Sequence, residues 1–127
     1  MSKKVFYLAH PVTGDPLGNC IKAEAWIRWL TLNVPEHIFT APWVAEVRAF
    51  ADENALPEFY DRVLADDQEV VRHCDGILLV GGKVSKGMQL ELDAAMECPE
   101  RTIIDWHYMM TPADVGLLGV EALRRGD

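Results

Sequence analysis

A turn rich in glycine, serine and lysine leads directly into an acidic helix at residues 81–94, which read GGKVSKGMQLELDA. Glycines allow backbone N–H groups to approach a ligand closely, and the N-terminus of a helix favours anions. Ser85 can donate a hydrogen bond to a phosphate or a hydroxyl, or it can serve only as the N-cap of the helix. Lys83 and Lys86 add positive charge beside it. The pattern predicts a small-molecule site, but not a P-loop, because GxxxxGK[ST] is absent.

Glu91 falls on the first or second turn of that helix, where the helix dipole stabilises an ionised carboxylate. An ionised carboxylate in a fixed position can act as a nucleophile. Leu90 and Leu92 look core-facing, so either Glu91 or Asp93 is expected to point toward a cleft. The pattern alone favours a solvated surface glutamate.

A second acidic feature, Asp66–Asp67, lies on a longer predicted helix. Acidic residues on a helix usually belong to its solvated face. If the pair lies across a cleft from Glu91, however, one aspartate can serve as a general acid while the glutamate attacks. Two carboxyl groups with separate roles are what a retaining displacement at an anomeric carbon requires.

The composition of the 127-residue chain is ordinary for a globular protein, with 50% hydrophobic and 25% charged residues. We expect one domain, 1–127, because domains commonly contain about 100–150 residues. The net charge of −8 argues against a nucleic-acid polymer or an anionic membrane as the partner. Three cysteines without metal spacing indicate reduced thiols and a cytoplasmic location. The apolar run near the N-terminus is too short for a signal sequence or a membrane span.

Short apolar runs alternate with helical patterns along the chain. Strands are predicted at 5–9, 37–43, 77–81 and 101–107, helices at 19–32, 44–54, 56–73, 88–97 and 112–125, and a loose tail at 124–127. This order predicts an α/β fold, a flavodoxin/Rossmann-like three-layer sandwich with a parallel sheet of four to five strands. Ligands bind such sheets at the carboxyl ends of the strands, where the strand order reverses. The loops at 10–19 and 82–87 follow the first and third strands, so the site is expected between them.

Other chemistries find little support in the sequence. HExxH, GxSxG and GxGxxG are absent, which removes the zincin, α/β-hydrolase and standard dinucleotide-binding patterns. His10 ends the first strand and is expected at the mouth of the site. His37, His73 and His107 have no metal-ligand spacing and are expected to be ordinary strand or helix residues.

Three segments together resemble the nucleoside 2-deoxyribosyltransferase superfamily, which includes the 2′-deoxynucleoside 5′-phosphate N-hydrolases. The segments are YLAHPVTGD (7–15), DDQEVVRHCDGILLVGG (66–82) and SKGMQLELDAA (85–95). The resemblance covers about residues 4–107 and is closest to small, uncharacterised bacterial and phage members of that superfamily. It rests on the order and spacing of the segments rather than on one decisive motif.

The resemblance implies roles for individual residues. Glu91 would attack the anomeric carbon and form a covalent sugar intermediate. Asp67, with Asp66 as a competitor for the assignment, would assist departure of the base. Ser85 would contact a phosphate, and Tyr7 would line the site. The full set of implied substrate-binding residues is Tyr7, His10, Pro11, Thr13, Gly14, Asn19, Gly82, Ser85, Gly87 and Met88.

Two positions depart from the family pattern. His10 stands where the family often has glycine, and it could change the substrate size or contact a phosphate. Asp93 stands where family enzymes often have glycine, which affects helix packing there.

The function expected from these residues and the resemblance is cleavage of the N-glycosidic bond of a nucleoside or nucleoside 5′-monophosphate. Transfer of the sugar to water would make the chain a hydrolase, and transfer to a second base would make it a transferase. Ser85 and the neighbouring lysines favour a phosphorylated substrate. No metal or organic cofactor is expected, and the resemblance implies a homodimer or higher homo-oligomer. The alternative is a catalytically inactive nucleotide-binding or regulatory module of the same fold.

Overall fold

The computed structural model describes residues 2–50 and 57–127. Its four strands are β1 (Val5–Ala9), β2 (Ile38–Thr40), β3 (Gly76–Leu79) and β4 (Thr102–Asp105). Its helices are α1 (Pro16–Asn33), α2 (Pro42–Ala49), α3 (Pro57–Arg72), α4 (Lys86–Met96) and α5 (Leu117–Arg125), with a 3₁₀ turn at Pro112–Asp114.

The four strands form one parallel sheet in the order β2-β1-β3-β4. Strands β1 and β3 are central, and Tyr7 pairs with Ile77 in their register. The order reverses between these two strands, because the chain passes from β1 outward to β2 and later from β3 outward to β4. Right-handed crossovers therefore place α1 and α4 on opposite faces of the sheet. The α/β, flavodoxin/Rossmann-like three-layer prediction is confirmed.

The core lies on both faces of the two central strands. Burial of both faces explains why β1 and β3 read as continuous apolar runs rather than alternating ones. The largest fully buried side chains come from the strands, from α1, α3, α4 and α5, and from the residue that follows α1: Phe6, Tyr7, Leu8, Trp26, Leu30, Val34, Val71, Ile77, Leu78, Leu79, Met88 and Leu123.

The second strand is shorter than predicted. The expected strand at 37–43 ends at Thr40, because Pro42 occupies the first turn of α2 and Trp43 belongs to that helix. Proline suits the first helical turn, where its missing N–H has no partner to lose. The Trp43 indole donates to the carbonyl of Leu8 at 3.0 Å, which fixes α2 against β1.

Helix boundaries differ from the predictions at several places. Helix α1 begins at Pro16, three residues before the predicted start, with Asp15 as its N-cap. The predicted helix at 112–125 is split into the 3₁₀ turn and α5, which begins after Gly116. The predicted end of one helix at 54 and start of the next at 56 lie outside the described residues.

The end of the chain is attached to the sheet, so the expected loose tail is wrong. The Arg124 guanidinium forms an ion pair with Glu36 at 2.6 Å. The ring of His37 lies 3.0 Å from the Arg124 carbonyl, and Lys4 Nζ donates to the Gly126 carbonyl at 3.4 Å. These contacts hold the end of α5 beside the first residues of β1.

Among residues 2–50 and 57–127, no helix is both long enough and apolar enough to cross a membrane.

Candidate active site

A cavity of about 710 Å³ opens where the loops after β1 and β3 meet helices α2, α3 and α4. We call it the main cavity. Its lining combines residues from the predicted loops with an apolar wall: Val12, Thr13, Asp15, Pro16, Leu17, Trp43, Glu46, Val47, Phe50, Tyr60, Val63, Leu64, Asp67, Ser85, Lys86, Gly87, Met88 and Glu91. The cavity thus lies at the carboxyl ends of the two central strands, where the strand order reverses.

Glu91 is buried in the wall of this cavity, with 6% of its surface exposed. The hydroxyl of Tyr7 donates a hydrogen bond to Glu91 Oε2 from β1. Asp93 instead faces solvent and accepts a hydrogen bond from Gln89 on the outer surface of α4. Glu91 is therefore the carboxylate that points to the cleft, and the expectation of a solvated surface glutamate is wrong.

Asp67 lines the same cavity from α3 and is 4% exposed, whereas its neighbour Asp66 is exposed. Of the two aspartates, Asp67 is thus the one that shares the cavity with Glu91. The carboxyl of Glu46, from α2, lies beside that of Asp67 and raises the pKa of Asp67. Glu46 Oε1 is buried and has no hydrogen-bond partner.

Glu46 is a site residue that the sequence reading missed. Trp43, Glu46 and Val47 stand three and four residues apart on α2 and all line the cavity. That spacing is the signal for a common helix face. This spacing could not be recognised from the sequence, because the predicted second strand included Trp43 and the predicted helix began only at residue 44.

Burial governs the proton affinities of these groups. Desolvation, followed by the hydrogen bond and charge of Glu46, raises the pKa of Asp67 to about 9. Desolvation also raises the pKa of Glu91, to about 7, although the hydrogen bond from Tyr7 acts in the opposite direction. Burial and the nearby Glu91 charge raise the pKa of Tyr7 well above its ordinary value, so it remains a donor. At neutral pH the Asp67 carboxyl is therefore protonated, while the Glu91 carboxyl exchanges readily between its protonated and ionised forms.

Much of the remaining lining of the cavity is apolar and aromatic. Trp43, Val47, Phe50, Val63 and Leu64 supply this surface from α2 and α3 and from the residue that follows α2. Small-molecule sites commonly combine such apolar surface with a few fixed polar groups. A flat heterocycle can pack here while its attached sugar faces the carboxyl groups.

A second, smaller cavity of about 360 Å³ lies beside the main one. We call it the side cavity; its lining is Pro11, Thr13, Gly14, Asp15, Asn19, Lys22, Gly81, Gly82, Lys83 and Met110. Gly14 and Gly82 adopt φ values of +97° and +99°, which glycine accepts without strain. Thr13 and Asp15 line both cavities and form the border between them.

Ten of the twelve expected site residues line one or both of the two cavities. Asp67, Thr13, Ser85, Gly87, Met88 and Glu91 line the main cavity, and Tyr7 reaches it through Glu91. Pro11, Gly14, Asn19 and Gly82 line the side cavity with Thr13. Ser85 Oγ caps α4 by accepting from the N–H of Met88 at 3.2 Å, and Asn19 Nδ2 donates to the Val12 carbonyl at 3.0 Å.

His10 lies behind the cavities rather than at their mouth. It is 3% exposed, stacks on Trp43 with ring centroids 6.0 Å apart, and is not among the residues that line either cavity. Its Nδ1 lies 2.7 Å from the Pro11 carbonyl, and its Nε2 is buried without a partner. Burial lowers the pKa of His10, which keeps the ring neutral. The ring packs so closely on Gly81 that a Cβ there would lie 2.9 Å from Nε2.

Within the described parts of the chain, no group of three or more His, Cys, Asp or Glu side chains is arranged to hold a metal ion. Comparison with models of known protein families finds no match for the chain, and comparison with curated proteins finds none.

The buried Asp67 should make stability depend on pH. Because its folded pKa is raised above the unfolded value, the native state binds more protons than the unfolded state at neutral pH. Stability should therefore fall as pH rises from about 4 toward 9, since the unfolded chain ionises first. We expect Asp67→Asn, which cannot ionise, to reduce the loss of Tm between pH 5 and pH 8 by roughly 10 °C, because three pH units at about 1.4 kcal/mol each amount to about 4 kcal/mol.

Asp66→Asn is the matched control, because this neighbouring aspartate is exposed and should leave the slope unchanged. Thermal unfolding monitored by circular dichroism gives the Tm of the wild type and both variants at each pH. Equal pH slopes for the wild type and Asp67→Asn would show that Asp67 is not desolvated in solution.

Proposed function

We propose that this chain cleaves the N-glycosidic bond of a nucleoside or nucleoside 5′-monophosphate, as the resemblance to the nucleoside 2-deoxyribosyltransferase superfamily implies. The observation that carries the proposal is the pairing in one cavity of two buried carboxyl groups with different proton affinities. Glu91 is fixed by Tyr7, and Asp67 is kept protonated by burial and by Glu46. Pairs of titratable groups whose pKa values are separated by their environments are typical of acid and nucleophile assignments.

In the first step, ionised Glu91 attacks C1′ of the sugar. Tyr7 holds Oε2, so Oε1 is the attacking oxygen. As the Oε1–C1′ bond forms, the C1′–N bond breaks and its electron pair moves to the base. The proton of the Asp67 carboxyl passes to the departing base, which leaves a sugar ester on Glu91 and an ionised aspartate.

In the second step, Asp67 acts as a base. It accepts a proton from water or from an incoming base, and the resulting nucleophile attacks C1′ of the ester. The bond from C1′ to Oε1 breaks, Glu91 is released as a carboxylate, and Asp67 regains its proton. Two inversions at C1′ retain the configuration of the sugar. Water as the acceptor gives a hydrolase, and a second base gives a transferase.

The apolar wall supports a purine or pyrimidine as the leaving group. Trp43 and Phe50 provide aromatic surface against which a flat base can stack, and stacking of this kind tolerates any base. Exclusion of water from this surface also strengthens the electrostatic interactions of the carboxyl groups.

The chain is also proposed to act as a homo-oligomer, in the cytoplasm, where its three free thiols are stable. Leu17 and Ile21, one turn apart on α1, are 47% and 63% exposed, and Leu17 lines the main cavity. A second copy packed on this part of α1 would border the cavity.

Light scattering of the purified chain should give the mass of a dimer or larger assembly. A monomer at tens of micromolar protein would contradict the proposed homo-oligomer.

Glu91→Gln should abolish base release. Glutamine fills the same volume but cannot form the sugar ester, so we expect kcat to fall by at least about 10⁴-fold. Chromatography would measure free base from a panel of ribo- and deoxynucleosides and their 5′-monophosphates, with and without an acceptor base. Mass spectrometry of the wild-type protein during turnover should detect the sugar ester on Glu91.

Glu121→Gln is the matched control, because Glu121 is an exposed glutamate of α5 and should keep full activity. If no substrate releases base while ligands raise the Tm of both wild type and Glu91→Gln, the chain is a binding module and the catalytic proposal is wrong.

The pH dependence of base release should be bell-shaped. Activity requires Glu91 ionised, so it should rise as pH increases through about 7, and it requires Asp67 protonated, so it should fall above about 9. The profile of kcat/KM between pH 5 and pH 10 measures both limbs. Glu46→Gln removes the charge that favours the protonated form of Asp67, so its alkaline limb should move to lower pH. If the alkaline limb is unchanged in this variant, Glu46 does not influence the pKa of Asp67.

A further inference from the structure

The charges around the main cavity do not suit a phosphorylated substrate. Its described lining includes four carboxyl side chains, from Asp15, Glu46, Asp67 and Glu91. Lys86 is the only cation among those described lining residues, and it is exposed. A nucleoside 5′-monophosphate carries close to two negative charges at neutral pH, because the second pKa of a phosphate monoester is about 6. Binding it here would bring like charges together.

The two helix N-termini beside the cavity are already capped by side chains of the protein. At α1, Pro16 has no N–H, and the N–H of Gly18 donates to the Asp15 carboxylate at 3.2 Å. At α4, the N–H of Met88 donates to Ser85 Oγ. Helix N-termini bind anions through such N–H groups, so each cap occupies one donor that a phosphate could otherwise use.

Two further lysines lie near the site but line only the side cavity. Lys22 and Lys83 line the side cavity and not the main one. Asp15 lines both cavities and stands at their border. A phosphate that extends from the main cavity toward these lysines would therefore pass the border that Thr13 and Asp15 form.

We propose that the substrate is a nucleoside with a free 5′-hydroxyl, and that Asp15 is the specificity-determining residue that disfavours a 5′-phosphate. The inference rests on the proposed glycosidase function and narrows its substrate. A hydroxyl can donate a hydrogen bond to a carboxylate, whereas a phosphate dianion has no proton to donate. The Asp15 carboxylate is exposed, lines the main cavity and accepts one hydrogen bond, from the Gly18 N–H, so it is accessible to a ligand as an acceptor.

The test compares kcat/KM for base release from nucleosides and from their 5′-monophosphates, in low-salt buffer at pH 7.5. The wild type should favour the nucleoside of each pair by at least about 30-fold, since like charges at close range in a cavity strongly oppose binding. Asp15→Asn should reduce this preference by roughly fivefold or more, mainly by raising kcat/KM for the monophosphate. Asparagine is as good an N-cap as aspartate, so the helix start should survive.

Asp15→Ser is the second variant, since serine also caps a helix but adds no amide donor for a phosphate. Asp93→Asn is the matched control: it removes one negative charge from the outer face of α4, and the preference should not change. Thermal unfolding confirms that each variant is folded.

The possible outcomes separate the inference from the function on which it rests. Equal or faster release from monophosphates by the wild type would overturn the inference and leave the glycosidase intact. A nucleoside preference that persists in both Asp15 variants would overturn the role of Asp15. No release of base from any substrate would overturn the proposed function and the inference together.

Discussion

Desolvation of the Asp67 and Glu91 carboxyl groups in one cavity is the constraint on which the site depends. The two groups come from consecutive helices, and their charges cannot both be ionised at low energetic cost in this enclosure. Burial and the neighbouring Glu46 raise the pKa of Asp67, and the Tyr7 hydroxyl donates a hydrogen bond to Glu91. A site that stores a proton next to a fixed carboxylate is suited to acid and nucleophilic chemistry at neutral pH.

The sheet topology makes that arrangement possible. Reversal of strand order between β1 and β3 opens the crevice into which the loops after both strands project. Tyr7 reaches Glu91 because β1 is central and α4 covers the face toward which this tyrosine points. Trp43, bonded to the Leu8 carbonyl, holds α2 over the same end of the sheet. The helices that carry Glu46 and Glu91 are therefore each joined to a central strand by a side-chain hydrogen bond.

Much of this fold was predictable, because the central strands are apolar on both faces and stand out as compact runs between turns. The choice between Glu91 and Asp93 was not predictable from the helix pattern, since the leucines on either side of Glu91 are only half-buried. The choice is decided by a hydrogen bond from Tyr7, which precedes Glu91 by 84 residues in the sequence. Glu46 was missed for a related reason. Misplacing the end of the second strand by three residues hid the face that Glu46 shares with Trp43.

The attachment of the end of α5 beside the start of β1 has a practical consequence. Lys4 and Gly126 are in contact at the amino-terminal edge of the sheet, and the cavities lie at the carboxyl-terminal edge. An attachment at either position would therefore extend from the edge of the sheet opposite the cavities. It could be an affinity tag, a fused fluorescent protein or a covalent tether to a sensor surface. The molecule can thus be immobilised through Lys4 or Gly126 with both cavities turned toward the bulk solution.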